Sequence, residues 1–204
     1  MKFKANQPVV LASASPRRKE LLEGLGINFK IIPSKKAEPT PENFNTAVEY
    51  VVECALQKAK EVAKEAPESV VIGSDTVVVL GGEILLKPKD KEQARNFLAR
   101  LSGNTHEVVT ALAIKQGDNE QTFYEETEVA FYELDSAWIE AYINTSDPYD
   151  KAGAYGIQTA SGLFVKEIKG DYQTVVGLPV ASLARKLEAS GYISLEGSHV
   201  HADF

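Results

Sequence analysis

The 204-residue chain contains one cysteine, Cys54, so neither an intrachain disulfide nor a thiolate metal cluster can form. Such sparing use suits a reducing cytoplasm, and Cys54, set within a helical pattern, reads as inert packing or surface. Histidine is almost as scarce. Two of the three, His199 and His201, fall near the C-terminus, which leaves His106 alone in the body of the chain. With no G-x-S-x-G elbow either, a Ser-His-Asp hydrolase is disfavoured. The absence of a G-x-x-x-x-G-K-[ST] run argues against a P-loop NTPase. No apolar stretch is long enough to span a bilayer, and the N-terminus lacks the apolar core of a signal peptide. Positive charge is also in deficit: 22 Lys and Arg face 29 Asp and Glu, a formal net charge of −7. That balance argues against nucleic acid or a membrane surface as partner, and an anionic ligand would need its cations gathered locally.

What is present is ordinary for a globular chain: 44% hydrophobic and 25% charged residues, without repeats or low-complexity tracts. Residues 1–193 read as one domain, and 194–204, which lack periodicity, as a mobile tail. Short apolar runs at 8–12 and 28–33 predict strands. Polar residues 34–45 form a loop carrying Glu38, and 46–66 a long helix. The β-branched run 69–73 predicts a buried strand that delivers Ser74-Asp75-Thr76 at its carboxyl end, where open α/β sheets tend to bind ligands. Hairpins are expected over 77–86 and 163–176, paired strands over 105–115 and 122–132. Helices are expected at 91–101, after Asp135, and from Pro179 to about Ala189. The alternation gives an α/β class with a mixed sheet.

Chemistry concentrates in four places. Leu11-Ala12-Ser13-Ala14-Ser15-Pro16-Arg17-Arg18 reads as strand, tight turn and helix start, with Ser15 as N-cap and Pro16 in the first turn. A helix N-terminus favours an anion, and two arginine forks match phosphate oxygens, although locally this also reads as a capped helix with solvated arginines. Gly73-Ser74-Asp75-Thr76 supplies a carboxylate, or equally a plain turn aspartate. Lys58 and Lys87 are isolated cations. Residues 150–158 are rich in small side chains and end in the Gln158 amide. Asp75 and Glu38 as carboxylates for a divalent ion, with Arg17, Arg18, Lys58 and Lys87 as cations for phosphate, suit metal-assisted cleavage of a phosphoanhydride.

These stretches, with Leu86-Lys87-Pro88, Leu101-Ser102-Gly103 and Asp150-Lys151-Ala152-Gly153-Ala154-Tyr155-Gly156-Ile157-Gln158, resemble the Maf family of nucleoside triphosphate pyrophosphatases, also called septum formation inhibitors, from about Val9 to Ile193. The resemblance implies an elongated mixed sheet flanked by helices, two lobes around a cleft, and a fold like that of the inosine triphosphate pyrophosphatases. It implies hydrolysis of a nucleoside triphosphate to the monophosphate and pyrophosphate with Mg²⁺ or Mn²⁺. Carried over by motif, Asp75 is the proton acceptor and, with Glu38 of the family's acidic loop, a metal ligand. Arg18, Thr76 and Gln158 are the specificity positions, in the combination of the branch acting on dTTP and UTP. Ser13, Ser15, Arg17, Lys58 and Lys87 are expected at the phosphates. Homodimers occur in the family, but no stripe in this sequence marks an interface. The Gln158 carboxamide can flip to suit uracil or cytosine, whereas Arg18, a donor only, would refuse cytosine's amino group at a base carbonyl. Two other readings stay open: a nucleotide-binding regulator of cell division without significant turnover, and a nucleotidyltransferase, which needs an acceptor where a hydrolase needs only water.

Overall fold

In the computed structural model, which describes residues 2–197, the strands are β1 (Phe3–Ala5), β2 (Val9–Leu11), β3 (Lys30–Ile31), β4 (Val70–Leu80), β5 (Glu83–Leu85), β6 (Thr105–Gln116), β7 (Asn119–Phe131), β8 (Val165–Lys169) and β9 (Ile193–Leu195). The helices are α1 (Pro16–Glu23), α2 (Ala47–Glu65), α3 (Lys91–Leu101), α4 (Ser136–Ile143), α5 (Tyr172–Val176) and α6 (Val180–Ala189). The main sheet runs β3-β2-β4-β6-β7-β8, with β5 also on β4. Its first three strands are parallel and the remaining pairings antiparallel. The mixed α/β sheet is thus as expected.

Side-chain alternation along β4 sends successive residues to opposite faces. Val71, Val77 and Val79 pack beneath α2 with Tyr50, Val51, Cys54, Ala55 and Ala59. On the other face, Val70 and Ile72 join α1 and α6, while Val78 joins α3 and α4. Two apolar clusters at opposite ends of one face form the two lobes. Burial pushes the Cys54 thiol up to about 12, which fits its expected inertness. Ser15, Thr46, Asp90 and Asp135 cap α1, α2, α3 and α4, each side chain accepting from a first-turn backbone N–H. None of the described helices is long and apolar enough to cross a membrane.

Four expectations are corrected. The strand at 69–73 and the hairpin arm after it are one strand, so Asp75 sits in the middle of β4 and not at its end. The second strand, expected over 28–33, shrinks to Lys30–Ile31. Of the expected arm 171–176, Tyr172–Val176 form α5, because the Asp171 side chain accepts from the Thr174 N–H and this cap outweighs the β-branched run Thr174-Val175-Val176. Ser194 and Leu195, expected to open a tail, instead pair with Lys4 and Phe3. The Glu196 N–H also donates to the Lys2 carbonyl at 3.0 Å, and residues 198–204, with His199 and His201, lie outside the described residues.

His106, only 2% exposed, stands edge-on to the rings of Phe131 and Tyr155. Its Nε2 lies 2.7 Å from the Tyr155 hydroxyl, and among the described residues its Nδ1 has no partner. Burial pulls its pKa down to about 4. The unfolded chain binds this proton near the ordinary value of about 6.5, so the unfolded state holds more protons as the pH falls from there. Stability should therefore drop by on the order of 3 kcal/mol between about pH 6.5 and 4, a window mostly above carboxylate titration. Urea midpoints measured across that range should lose most of this slope in His106→Gln; an unchanged slope would place the effect elsewhere.

Candidate active site

β2 pairs with β4 only as far as Ile72, and β5 takes up the same edge from Val78. Between them no strand among the described residues covers that edge, and a cleft of about 420 Å³ opens there. The turn into α1, the loop after β3, Lys58 of α2, Lys87 after β5, the 150–159 segment and the end of α5 surround it. Ser13, Ser15, Arg17, Arg18, Glu38, Lys58, Asp75, Thr76, Lys87 and Gln158 all line this one cleft. Their meeting was foreseen; the interrupted sheet edge that allows it was not.

On the α2 face, Lys58 Nζ donates to Asp75 Oδ1 at 2.5 Å and to Glu38 Oε1 at 2.7 Å. Gly73 makes this approach possible. A Cβ there would lie 2.2 Å from the Ala55 carbonyl oxygen, so only glycine lets α2 sit this close to β4. Glu38 is held by its loop: the Ser34 hydroxyl and the backbone N–H groups of Lys35 and Lys36 all donate to Glu61 Oε2 on α2. Burial raises the Asp75 carboxyl above the ordinary range, against the opposing charges of Lys58 and Arg18. Burial also acts to raise Glu38, but the Lys58 hydrogen bond and the charges of Lys58, Lys87 and Arg18 carry it below. Burial pulls Lys58 down, yet its two carboxylates hold it above its ordinary value. Among the described residues no donor is bonded to Asp75 Oδ2.

The opposite face carries Thr76 and Arg18. The guanidinium donates from Nε to the Gly177 carbonyl at 2.9 Å, from Nη1 to Ser13 Oγ at 3.3 Å and from Nη2 to Thr76 Oγ1 at 3.0 Å. Two of its five N–H groups remain for a ligand. Gly177 has φ of 119°, and a Cβ there would lie 3.2 Å from Thr76 Oγ1, so this turn also demands glycine. Behind Thr76 stand Val78 and Val108, with Tyr155, Val175 and Val176 completing an apolar lining. One strand therefore separates a charged half of the cleft from an apolar half.

Arg17 donates to Asp150 Oδ2 at 3.1 Å across the rim. Lys151, 7% exposed, binds Asp147 and Asp150, and Lys151, Asp150 and Lys36 line the cleft. Sequence reasoning gave Lys36, Asp147, Asp150 and Lys151, and the valine lining, no individual role. Residues 150–158 had offered only a signal of close backbone approach, and the valines look like any core strand. Among the described residues no group of three or more His, Cys, Asp or Glu side chains is gathered as for a metal.

The class the fold defines is an α/β protein whose mixed sheet is opened along one strand, with Lys58, Asp75 and Glu38 on one side of the gap and Arg18 before an apolar wall on the other. A solved Ham1 protein of Staphylococcus aureus shares the fold at 16% identity, with a TM-score of 0.50 over 90% of this chain and all of that one. The model of the Maf-like proteins matches residues 8–190, and the chain belongs to that family. Among its relatives, proteins named dTTP/UTP pyrophosphatase from Bacillus cytotoxicus and Bacillus velezensis are 48% and 50% identical. Each alignment covers 88% of this chain, and 93% and 95% of those proteins respectively.

Proposed function

We propose that the protein hydrolyses dTTP and UTP to the monophosphate and pyrophosphate. The observation that carries this reading is the convergence of Asp75, Lys58, Glu38, Arg17 and Lys87 on one cleft whose other wall is apolar, in a chain nearly half identical over most of its length to proteins of that name. The triphosphate lies along the α1 start, where Ser13, Ser15 and the backbone N–H groups meet it and Arg17 exchanges Asp150 for phosphate oxygen. Lys58 and Lys87 neutralise the remaining charge. Asp75 takes the proton of the water that attacks the α-phosphorus, through the oxygen that Lys58 leaves free. The base faces Thr76, Arg18 and Gln158.

Asp75 and Glu38 are hard oxygen donors brought within one ammonium's reach of each other. That set fits Mg²⁺ or Mn²⁺, which take one or two carboxylates and complete their shell with water and substrate oxygens. When bound, such an ion would neutralise charge developing on the leaving pyrophosphate.

Pyrophosphate release from dTTP and UTP with Mg²⁺ or Mn²⁺, and in water without any acceptor, is the expected result. EDTA should abolish it, and CTP should be cut about 10–100-fold more slowly, the cost of one unpaired buried donor. A nucleotide that binds without turnover would favour the regulator; turnover needing an acceptor would favour the transferase.

A further inference from the structure

We propose that Thr110, a buried residue behind the cleft wall, sets base selectivity by fixing the direction of the Thr76 hydroxyl; this rests on the reading that places the base at Thr76. Thr110 lies directly opposite Thr76 in the pairing of β6 with β4 and is fully buried. Its Oγ1 is 2.7 Å from the Thr174 carbonyl oxygen and 3.0 Å from Thr76 Oγ1. A hydroxyl has one proton, and a carbonyl can only accept. The Thr110 proton therefore goes to Thr174, and the contact between the two threonines is made by the proton of Thr76.

The Thr174 carbonyl is available because α5 ends in an early turn. The Leu178 N–H, which a longer helix would direct to Thr174, bonds to the Gln173 carbonyl at 3.0 Å, as the Gly177 N–H does at 2.9 Å. Thr76 Oγ1 also accepts from Arg18 Nη2 at 3.0 Å, and a guanidinium has only donors. With its proton committed to Thr110 and one lone pair to Arg18, Thr76 keeps a single lone pair for the cleft. Toward a ligand it is an acceptor only.

Uracil and thymine carry an N–H at N3; cytosine carries an unprotonated nitrogen there. An acceptor-only Thr76 pairs with the first two and opposes the third. This polarity belongs to the chain Arg18, Thr76, Thr110, Thr174, and Thr110 is its one member besides the backbone carbonyl that stays out of the cleft. It is a positioning residue.

The test is the ratio of kcat/KM for UTP to that for CTP. Thr110→Val keeps the shape, removes the hydroxyl and frees the Thr76 proton to turn toward the ligand. The ratio should fall by about tenfold or more, the scale of an unpaired buried hydrogen-bonding group, while Thr110→Ser should retain it. A merely structural role would slow both substrates together and leave the ratio alone. In the unaltered protein, 3-deaza-CTP, which replaces the N3 acceptor by C–H, should be cut faster than CTP, and this arm does not depend on how any variant folds. A preference for UTP that survives Thr110→Val in a folded variant, or 3-deaza-CTP cut no faster than CTP, overturns the role of Thr110. Absence of any preference for UTP in the unaltered protein would instead overturn the reading of the site, and this inference with it.

Discussion

Asp75→Asn should lower kcat for dTTP by about 10²–10⁴-fold, the usual contribution of a positioned general base, while the chain still folds. Asparagine fills the same volume on β4 and can accept a hydrogen bond from Lys58, but it cannot take a proton. Lys58 keeps its second carboxylate, Glu38, at 2.7 Å, so the substitution does not strand a buried cation. The pH profile supplies an independent readout. Because burial lifts the Asp75 carboxyl above its ordinary value, the acid limb of kcat/KM should lie above the usual aspartate range and vanish from the residual activity of the variant. Pyrophosphate release at near-normal rates in Asp75→Asn would remove the assignment.

Gly73→Ala should damage stability and turnover together. The added methyl would fall 2.2 Å from the Ala55 carbonyl oxygen and 2.9 Å from the Ala59 nitrogen. Both obstacles are backbone, so no rotamer change relieves them and α2 must lift away from β4. Overpacking of this kind typically costs 1–3 kcal/mol, and the upper part of that range, about 3 kcal/mol, applies where backbone must move. The shift also separates Lys58 on α2 from Asp75 on β4, which now stand 2.5 Å apart. Misplacing a catalytic group by about 1 Å can cost on the order of 10²-fold in rate. Urea midpoints and kcat measured on the same preparation decide the matter. A variant as stable and as active as the parent would show that the contact between helix and strand does not set the site.

Much of the molecule was legible in the residues. Side chains that act on their own backbone, such as Ser15 and Asp90, announce helix starts, and the apolar face of 47–65 announces α2 because its period is regular. Residues 70–80 were harder. Gly73, Ser74 and Asp75 look like a turn, since small and acidic residues usually end strands. They stay extended because β6 pairs with them, α2 covers Gly73 and Lys58 answers Asp75, contacts made by residues 14 or more positions away. The misread of 171–176 has a local origin instead: β-branched residues suggested a strand, and one cap at Asp171 reversed the outcome. The meeting of the site residues followed from their motifs. Thr110 and the Arg18 anchorage could not have been found that way, because strand register and the carbonyl of Thr174 leave no local mark in the sequence.

Asp75 and Thr76 are consecutive residues of one extended strand, so a single peptide unit fixes the spacing between the proposed reaction centre and the proposed base-reading group. No hinge, insertion or change of loop length can alter it. The two groups also draw on separate partners, Asp75 on Lys58 and Glu38, Thr76 on Arg18 and Thr110. A scaffold of this kind can be retuned to another heterocycle by replacing residues on one side of the strand, with the hydrolytic apparatus on the other side left as it is.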